Sequence, residues 1–475
     1  MLHVAAVALV ICASLSLTGR PIFSTVLVVV LIALLAVIGN AKYESLREPF
    51  VFTDLTLFSQ AFAHPRLYLP FLGIDKALAI VVGVAAAATG FVLETPIGML
   101  GRCVSGVLAV SCVPLCLVLA RRLSPTLHPE ADQLRFGFLA SFVTYLINGL
   151  GRAEKHAFAR AVDSGPFANG RPETRPDVIV IQSESYFDAR RMSESILSGP
   201  YVQFDRARRE SFEQGQLTVP AWGANTMRSE FALLTGLPST ALRYARFYPY
   251  LYVRRVCASI AGYFSRGGYL TAALHPYYAD FFGRRRAFRF MQFDRFLSIE
   301  NFDDAPRVGP YIGDAGVTDA IIGLLQECDD RPVFAFAITM ENHGPLHLEP
   351  VAAGESDTRH SLGDDARWRD LTAYLRHIEN ADKMIGRLTD YLRKRKRPAV
   401  LCFYGDHVPA LSSVFDALAS EPIHSDYLIW RNFGNDPGTR RDVPVETLGC
   451  AIQRAMMLED RIEADPQTEL QQTPA

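Results

Sequence analysis

Cysteine is scarce and unpatterned. Eight occur in 475 residues, with no CxxC pair. Cys12, Cys103, Cys112 and Cys116 lie inside apolar runs, while Cys257, Cys328, Cys402 and Cys450 are scattered. That leaves neither a disulfide framework nor zinc-finger spacing. Excess charge is missing too. The net is −2, which removes any global electrostatic case for nucleic-acid binding. No internal repeat is visible. Met1-Leu2-His3-Val4 carries no basic n-region, so the apolar run behind it reads as a membrane helix and not a cleavable signal.

What is present is apolar sequence, 49% of the chain, crowded into its first third. Leu2–Leu17, Pro21–Ile38, Ala77–Leu93 and Val104–Ala120 are four candidate spans, and Phe136–Leu150 is a fifth, shorter one. About 20 residues are needed to cross a bilayer. An N-terminus inside puts Lys42, Arg47, Arg66, Lys76, Arg121 and Arg122 on the cytoplasmic side. If the fifth run crosses, everything after Gly151 is extracytoplasmic. If it lies on the surface, the large domain is cytoplasmic.

The expected organisation is a membrane region over 1–150, a polar linker over 151–175, a catalytic domain over 176–458 and a disordered tail over 459–475. Val178–Ile181, Val333–Ile338 and Val400–Phe403 read as buried strands. Helical patterns lie between them, the longest from Trp368 to Tyr391. This predicts an α/β domain, with a mostly parallel sheet flanked by helices.

Each of the three strands runs into reactive residues. The first meets Gln182-Ser183-Glu184-Ser185, the second Glu341-Asn342-His343-Gly344-Pro345, the third Tyr404-Gly405-Asp406-His407-Val408-Pro409. Open α/β sheets bind ligands at such carboxyl edges. Glu184, Asp406 and His407 are oxygen and nitrogen donors suited to Mg²⁺, Mn²⁺ or Zn²⁺. A fourth stretch, Gly223-Ala224-Asn225-Thr226, leads into an amphipathic segment that stops at Gly236-Leu237-Pro238. Thr226 thus starts a helix, where N–H groups favour phosphate. Taken alone, it reads as an ordinary N-cap. Beside a metal it becomes a fourth ligand and an activated nucleophile.

Glu-Ser after the first strand, Leu-Thr-Val-Pro…Asn-Thr…Ser-Glu-Phe…Leu-Thr-Gly, Glu-Asn-His-Gly-Pro and Tyr-Gly-Asp-His-Val-Pro occur in this order. Together, over roughly Pro176–Trp430, they resemble the lipoteichoic acid synthase family. That group includes phosphoglycerol transferases of Gram-negative glucans, within the alkaline phosphatase/sulfatase superfamily. The resemblance implies that Glu184, Thr226, Asp406 and His407 bind one divalent cation, Mn²⁺ or Mg²⁺ before Zn²⁺, and that Thr226 is the nucleophile. It implies that His343 contacts the glycerol phosphate and acts as acid or base. In Leu274-His275-Pro276-Tyr277-Tyr278-Ala279-Asp280-Phe281-Phe282-Gly283-Arg284 it implies a substrate segment, with His275 and Arg284 on the headgroup phosphate. The family usually has Trp where Phe282 stands. Phenylalanine keeps the aromatic wall and loses an indole N–H donor.

The expected function is a membrane-anchored phosphotransferase. It moves phosphoglycerol from phosphatidylglycerol to a glycan or polysaccharide through a phosphoglyceryl-threonine. The expected site is a bacterial cytoplasmic membrane, with the catalytic domain on the periplasmic side. The alternative is a phosphoethanolamine transferase, or a phosphodiesterase or sulfatase-like hydrolase of the same superfamily. Thr226 stands where a formylglycine precursor would be Cys or Ser, which disfavours a sulfatase. Arg284, Arg285, Arg286 and Arg289 read as a solvated face, with a motif-based case for phosphate binding at Arg284 alone. Tyr244, Phe247, Tyr248, Tyr250 and Tyr252 read as packing.

Overall fold

The computed structural model describes residues 1–56, 60, 64–65, 73–434 and 438–457. The expected tail over 459–475 and Arg66 lie outside the described residues. The chain divides into two units. One is Met1–Ala159 with Leu242–Tyr248, the other Arg160–Ala241 with Pro249–Ala475.

The first unit is helical: α1 (Leu2–Thr18), α2 (Pro21–Leu46), α3 (Ile74–Leu93), α4 (Met99–Arg122) and α5 (Phe138–Gly149). Gly19 ends α1 in the left-handed region at φ 71°, and Pro21 occupies the first turn of α2. The Glu94 carboxylate accepts from the N–H groups of Ile22 and Phe23, both at 2.8 Å. It thereby satisfies two donors that the first turn of α2 leaves open.

Three described helices are long and apolar enough to cross a membrane: Pro21–Leu46, Lys76–Leu93 and Met99–Arg122. The expected fifth span is shorter than its apolar run. α5 has 12 residues, a rise of about 18 Å against a hydrocarbon core of about 30 Å. Gly137, at φ 79°, separates it from the preceding helix Pro129–Phe136. The fully buried Asp132 carboxylate accepts from the Thr126 and Leu127 amides and from the Tyr145 hydroxyl at 2.6 Å, which pins α5 to that turn. Tyr244 meets the Tyr145 ring edge-on at 5.6 Å, and Phe247 stacks on it at 5.5 Å. Phe50, Val51, Phe52 and Phe142 complete this core.

The second unit is built on one mixed sheet. Its strands are β1 (Asp177–Ser183), β2 (Glu213–Thr218), β3 (Leu270–Leu274), β4 (Arg295–Leu297), β7 (Val333–Ile338), β8 (Ala399–Gly405), β9 (Ser425–Arg431), β10 (Thr439–Arg440) and β11 (Val443–Pro444). β5 (Arg307–Val308) and β6 (Tyr311–Ile312) form a separate hairpin. The main order is β10-β2-β9-β8-β1-β7-β3-β4, with β11 also on β2. β4, β3, β7, β1 and β8 run parallel, and β9 is antiparallel to both its neighbours.

The Val/Ile/Phe/Ala runs of β1, β7 and β8 are buried throughout, as strands covered on both faces require. The helices that matter for the site are α6 (Met227–Thr235), α7 (Asp314–Glu327) and α8 (Arg369–Lys394). α8 buries Leu371, Tyr374, Leu375, Ile378, Ile385 and Leu388 against the core. Each aliphatic side chain there contributes about 1.5–3 kcal/mol. Register sets the site. Gln182 of β1 lies between Ile338 and Tyr404, and Ser183 lies opposite Gly405. The three carboxyl ends therefore emerge together. Gly405 is obligatory at this edge, because a Cβ there would lie 1.9 Å from the Tyr186 carbonyl oxygen.

The segment read as a linker begins with a helix, Arg152–Asp163.

Candidate active site

The loops leaving β1 and β8 bring Glu184, Asp406 and His407 together, all buried, with one ligand atom of each within 4.8 Å of the others. The backbone arranges this. Asp406 Oδ1 accepts from the N–H of Ser185 at 2.8 Å and of His407 at 2.9 Å. The Glu184 N–H donates to Thr339 Oγ1 at 3.0 Å, joining the β7 end to the same edge. Ser229 of α6 donates its hydroxyl to the Asp406 carbonyl at 2.6 Å.

Thr226 precedes α6 and is 6% exposed. Its hydroxyl makes no capping bond to the helix. Instead it lies 3.5 Å from Glu184 Oε2 and reaches the Asp406 carboxylate. The ordinary N-cap that this position alone would suggest is thus not formed: the hydroxyl turns toward the carboxylates and not toward its own helix.

The cluster is electrostatically incomplete. Asp406 Oδ2 and His407 Nε2 are buried without a hydrogen-bond partner. Burial and the neighbouring Glu184 push the Asp406 carboxyl up to about 7. Burial opposes charge on His407, but Asp406 and Glu184 outweigh it and raise its pKa. The His407 Nδ1–H donates to the Val408 carbonyl at 3.0 Å, which leaves the Nε2 lone pair turned to the carboxylates. A divalent cation fits this donor set. Oxygen and imidazole ligands are present, and the outer nitrogen of the ring is already oriented.

A second group lies on the β3 side. Arg284, 1% exposed, donates from Nε and Nη2 to Glu230 Oε2 at 3.1 and 2.8 Å, and from Nε to Oε1 at 3.1 Å. Its Nη1 donates to His275 Nε2 at 3.0 Å. A guanidinium cannot accept, so His275 is a neutral ring with its proton on Nδ1. Burial, then Arg284, hold its pKa well below the ordinary histidine value. Tyr250 donates its hydroxyl to Glu230 Oε1 at 2.5 Å. Glu230 lies one turn after Thr226 on α6, and its N–H donates to the Thr226 carbonyl at 3.1 Å. Phe282 is buried at φ 55°, packed on Phe281 with centroids 4.2 Å apart and beneath the Arg284 guanidinium.

Glu230→Gln would leave the guanidinium buried with its anion gone. We expect this to cost about 3–5 kcal/mol. Thermal melting should register a fall of about 5–8 °C. Tyr250→Phe, which removes one hydrogen bond, should cost about 1 kcal/mol.

His343 is half-buried on the loop after β7. Its Nδ1–H donates to the Gly344 carbonyl at 2.8 Å, and the Tyr311 hydroxyl lies 3.5 Å from the same nitrogen. The free position on the ring is therefore Nε2, a lone pair in the neutral form.

Sequence reasoning missed Glu230, Tyr250, Ser229 and Thr339. Glu230 had a signal, since Ser-Glu-Phe belongs to the quoted pattern, but nothing local tied it to Arg284. Of the arginine run, Arg285 and Arg289 are exposed as expected; Arg284 is instead buried on Glu230, and Arg286 is half-buried, donating to the Tyr250 carbonyl at 2.9 Å. The tyrosines at 244, 248, 250 and 252 and Phe247 are all buried.

Comparison with known proteins agrees with this architecture. Residues 176–448 match the family profile described as Sulfatase. The capsular polysaccharide biosynthesis protein RkpI of Rhizobium meliloti is 26% identical over 503 residues, spanning 96% of this chain and 87% of that protein. Among solved structures, the membrane-integral lipooligosaccharide phosphoethanolamine transferase EptA of Neisseria meningitidis aligns at TM-score 0.57 and 14% identity. That alignment covers 93% of this chain and 86% of EptA. The Streptococcus pyogenes phosphoglycerol transferase GacH aligns at TM-score 0.51 and 21% identity, over 64% and 80%. With apolar helices ahead of a domain whose sheet edge gathers Glu184, Asp406 and His407, the chain belongs to the sulfatase family of the alkaline phosphatase superfamily, as a membrane-anchored enzyme.

Proposed function

We propose that this enzyme transfers phosphoglycerol from phosphatidylglycerol to a hydroxyl of a glycan or polysaccharide, through a covalent intermediate on Thr226. The observation that carries the reading is the Thr226 hydroxyl, buried and turned to Glu184 and Asp406 where an N-cap would turn to its own helix. Glu184, Thr226, Asp406 and His407 would hold one divalent cation. When bound, that cation supplies Lewis acidity that lowers the pKa of the alcohol and offsets phosphoryl charge.

In the first step Thr226 Oγ1 gives up its proton to solvent and attacks phosphorus, the bond to the diacylglycerol oxygen breaks as that oxygen takes a proton from His343 Nε2, and a phosphoglyceryl-threonine forms. In the second step an acceptor hydroxyl attacks the same phosphorus and Thr226 Oγ1 leaves. The acceptor's proton passes to His343 Nε2, which is free to take it. His275 Nδ1–H and Arg284 would bind the phosphate oxygens, and Phe282 would wall the headgroup. The first N–H groups of α6 face the same phosphate.

RkpI, related over most of this chain and described as a capsular polysaccharide biosynthesis protein, supports a polysaccharide acceptor. GacH supports phosphoglycerol as the group transferred. The likeness to EptA along 93% of the chain favours phosphoethanolamine as the second reading. The catalytic domain is assigned to the extracytoplasmic face, where such acceptors lie.

The test is incubation with Mn²⁺ and headgroup-labelled phosphatidylglycerol or phosphatidylethanolamine, followed by mass spectrometry of the Thr226 peptide. We expect a phosphoglycerol adduct from the first lipid, and turnover at least about tenfold above the second. A phosphoethanolamine adduct would transfer the assignment to the second reading. Label on neither lipid-treated protein would end both.

A further inference from the structure

A second cluster of buried charge underlies the loop that carries His343. His377, on α8, is 1% exposed. Its Nδ1 lies 3.0 Å from Glu341 Oε1, and its Nε2 2.9 Å from Glu349 Oε2. Glu341 also accepts from the Asp314 N–H at 2.7 Å and from Asn380 Nδ2 at 2.6 Å. Glu349 is paired with Arg376 Nη2 at 2.6 Å. Both glutamates are therefore acceptors only, so both ring nitrogens must donate and the ring is an imidazolium.

Burial opposes that charge. The hydrogen bonds to Glu341 and Glu349 outweigh it and raise the His377 pKa to about 9. The other charged groups around it are few. Burial, then Glu341, push the Asp314 carboxyl, at the start of α7, well above the usual carboxylate range. Arg376 pairs with Glu355 as well as Glu349.

Glu341 and Glu349 are the two ends of a nine-residue loop. Asn342, His343 and the Gly344-Pro345 pair lie between them, and the Tyr311 hydroxyl donates to the Gly344 carbonyl at 3.3 Å. We propose that His377 is a positioning residue for His343: by bridging Glu341 and Glu349 it staples both ends of the loop and fixes where the His343 ring stands. The proposal rests on the phosphotransfer reading above for the role of His343, and on geometry alone for the staple.

The sign follows from linkage. The folded pKa lies above the unfolded value, so the bridge's contribution to stability is fully present below about pH 6.5, and the bridge itself is lost as pH rises through about 9. Activity should therefore carry an alkaline limb with a midpoint near 9.

The full-length protein in detergent, loaded with Mn²⁺, should be assayed from pH 6 to 10 with three substrates. These are phosphatidylglycerol, phosphatidylethanolamine and bis(p-nitrophenyl) phosphate. Glu349→Gln removes one anion, and should move the limb down by about one pH unit or more. Deprotonation of Asp314 would move the other way, since a weaker His377 charge raises its pKa. His377→Gln should lose the limb and about 10- to 100-fold in kcat/KM.

A limb unchanged in Glu349→Gln, or retained in His377→Gln, overturns the proposal. Should His377→Gln fail to fold, the Glu349→Gln midpoint decides. A residue that merely supports the fold would lower the melting temperature and leave that midpoint in place. Turnover of the synthetic diester alone, with the limb intact, would refute the lipid-donor reading and leave the staple standing. If no substrate turns over, thermal melting over the same pH range reads the bridge directly, and equal midpoints in the two proteins overturn it.

Discussion

Thr226→Ala is expected to abolish diacylglycerol release, by about 10⁴-fold or more, with no headgroup left on the protein. The size follows from the two-step route: without Oγ1 there is no first bond to form, and direct attack by an acceptor would need a different approach to phosphorus. The fold should survive. The hydroxyl caps nothing, and the Thr226 carbonyl still accepts from the Glu230 N–H. Thr226→Ser keeps the oxygen and loses a methyl that restricts χ1, so it should retain a measurable fraction of the activity. Release of diacylglycerol by Thr226→Ala at more than about one-hundredth of the wild-type rate would remove the nucleophile from this reading.

Asp406→Asn is the second large effect. Asp406 uses Oδ1 for the amides of Ser185 and His407 and leaves Oδ2 without a hydrogen bond, 3.4 Å from His407 Nε2. Asparagine can keep the first pair of bonds. It places an N–H donor where Oδ2 stood, and a donor cannot ligate a cation. Elemental analysis should find the bound metal lost, and kcat/KM should fall about 10³-fold or more. Stability should go the other way. Burial and Glu184 raise the Asp406 pKa to about 7. Without a cation, its charge therefore weighs against the folded state, increasingly as pH rises from about 4 to 7. The metal-free variant should melt no lower than the metal-free wild type at pH 7. A variant that still binds one equivalent of metal would show that Glu184, His407 and Thr226 suffice.

The strands were legible where burial is two-sided. Val178–Ile181, Val333–Ile338 and Val400–Phe403 are continuous apolar runs, and each lies within an observed strand. β2 was not legible. Its Glu-Gln-Gly-Gln-Leu-Thr has little β propensity, and pairing with β9 decides its conformation. β3 is alanine-rich and reads equally well as helix until β7 lies beside it. The antiparallel edge formed by β9 and β2 follows from such pairings.

The meeting of Glu184, Asp406 and His407 was legible because all three residues follow strands at one edge. Their neighbours were not. Glu230 sits in a helix pattern where a charged residue belongs on the surface, and Arg284 and Tyr250, 54 and 20 residues away, make its burial tolerable. His377 is hidden in the same way on α8, its partners 28 and 36 residues distant. Buried ionic groups are explained by their partners, and partners far apart in sequence leave no periodic trace.

Leu242–Tyr248 belongs to the helical unit although it follows Thr226 in the chain. A truncated fragment beginning at Arg160, prepared for ease of handling, would still carry Tyr244 and Phe247. It would lack Tyr145, Phe142 and Phe50, against which they pack. Each such ring buries about 150–250 Å². The fragment would thus display a fresh oily patch beginning 18 residues after Thr226, inviting self-association. Polar replacements at 244 and 247 are the corresponding remedy.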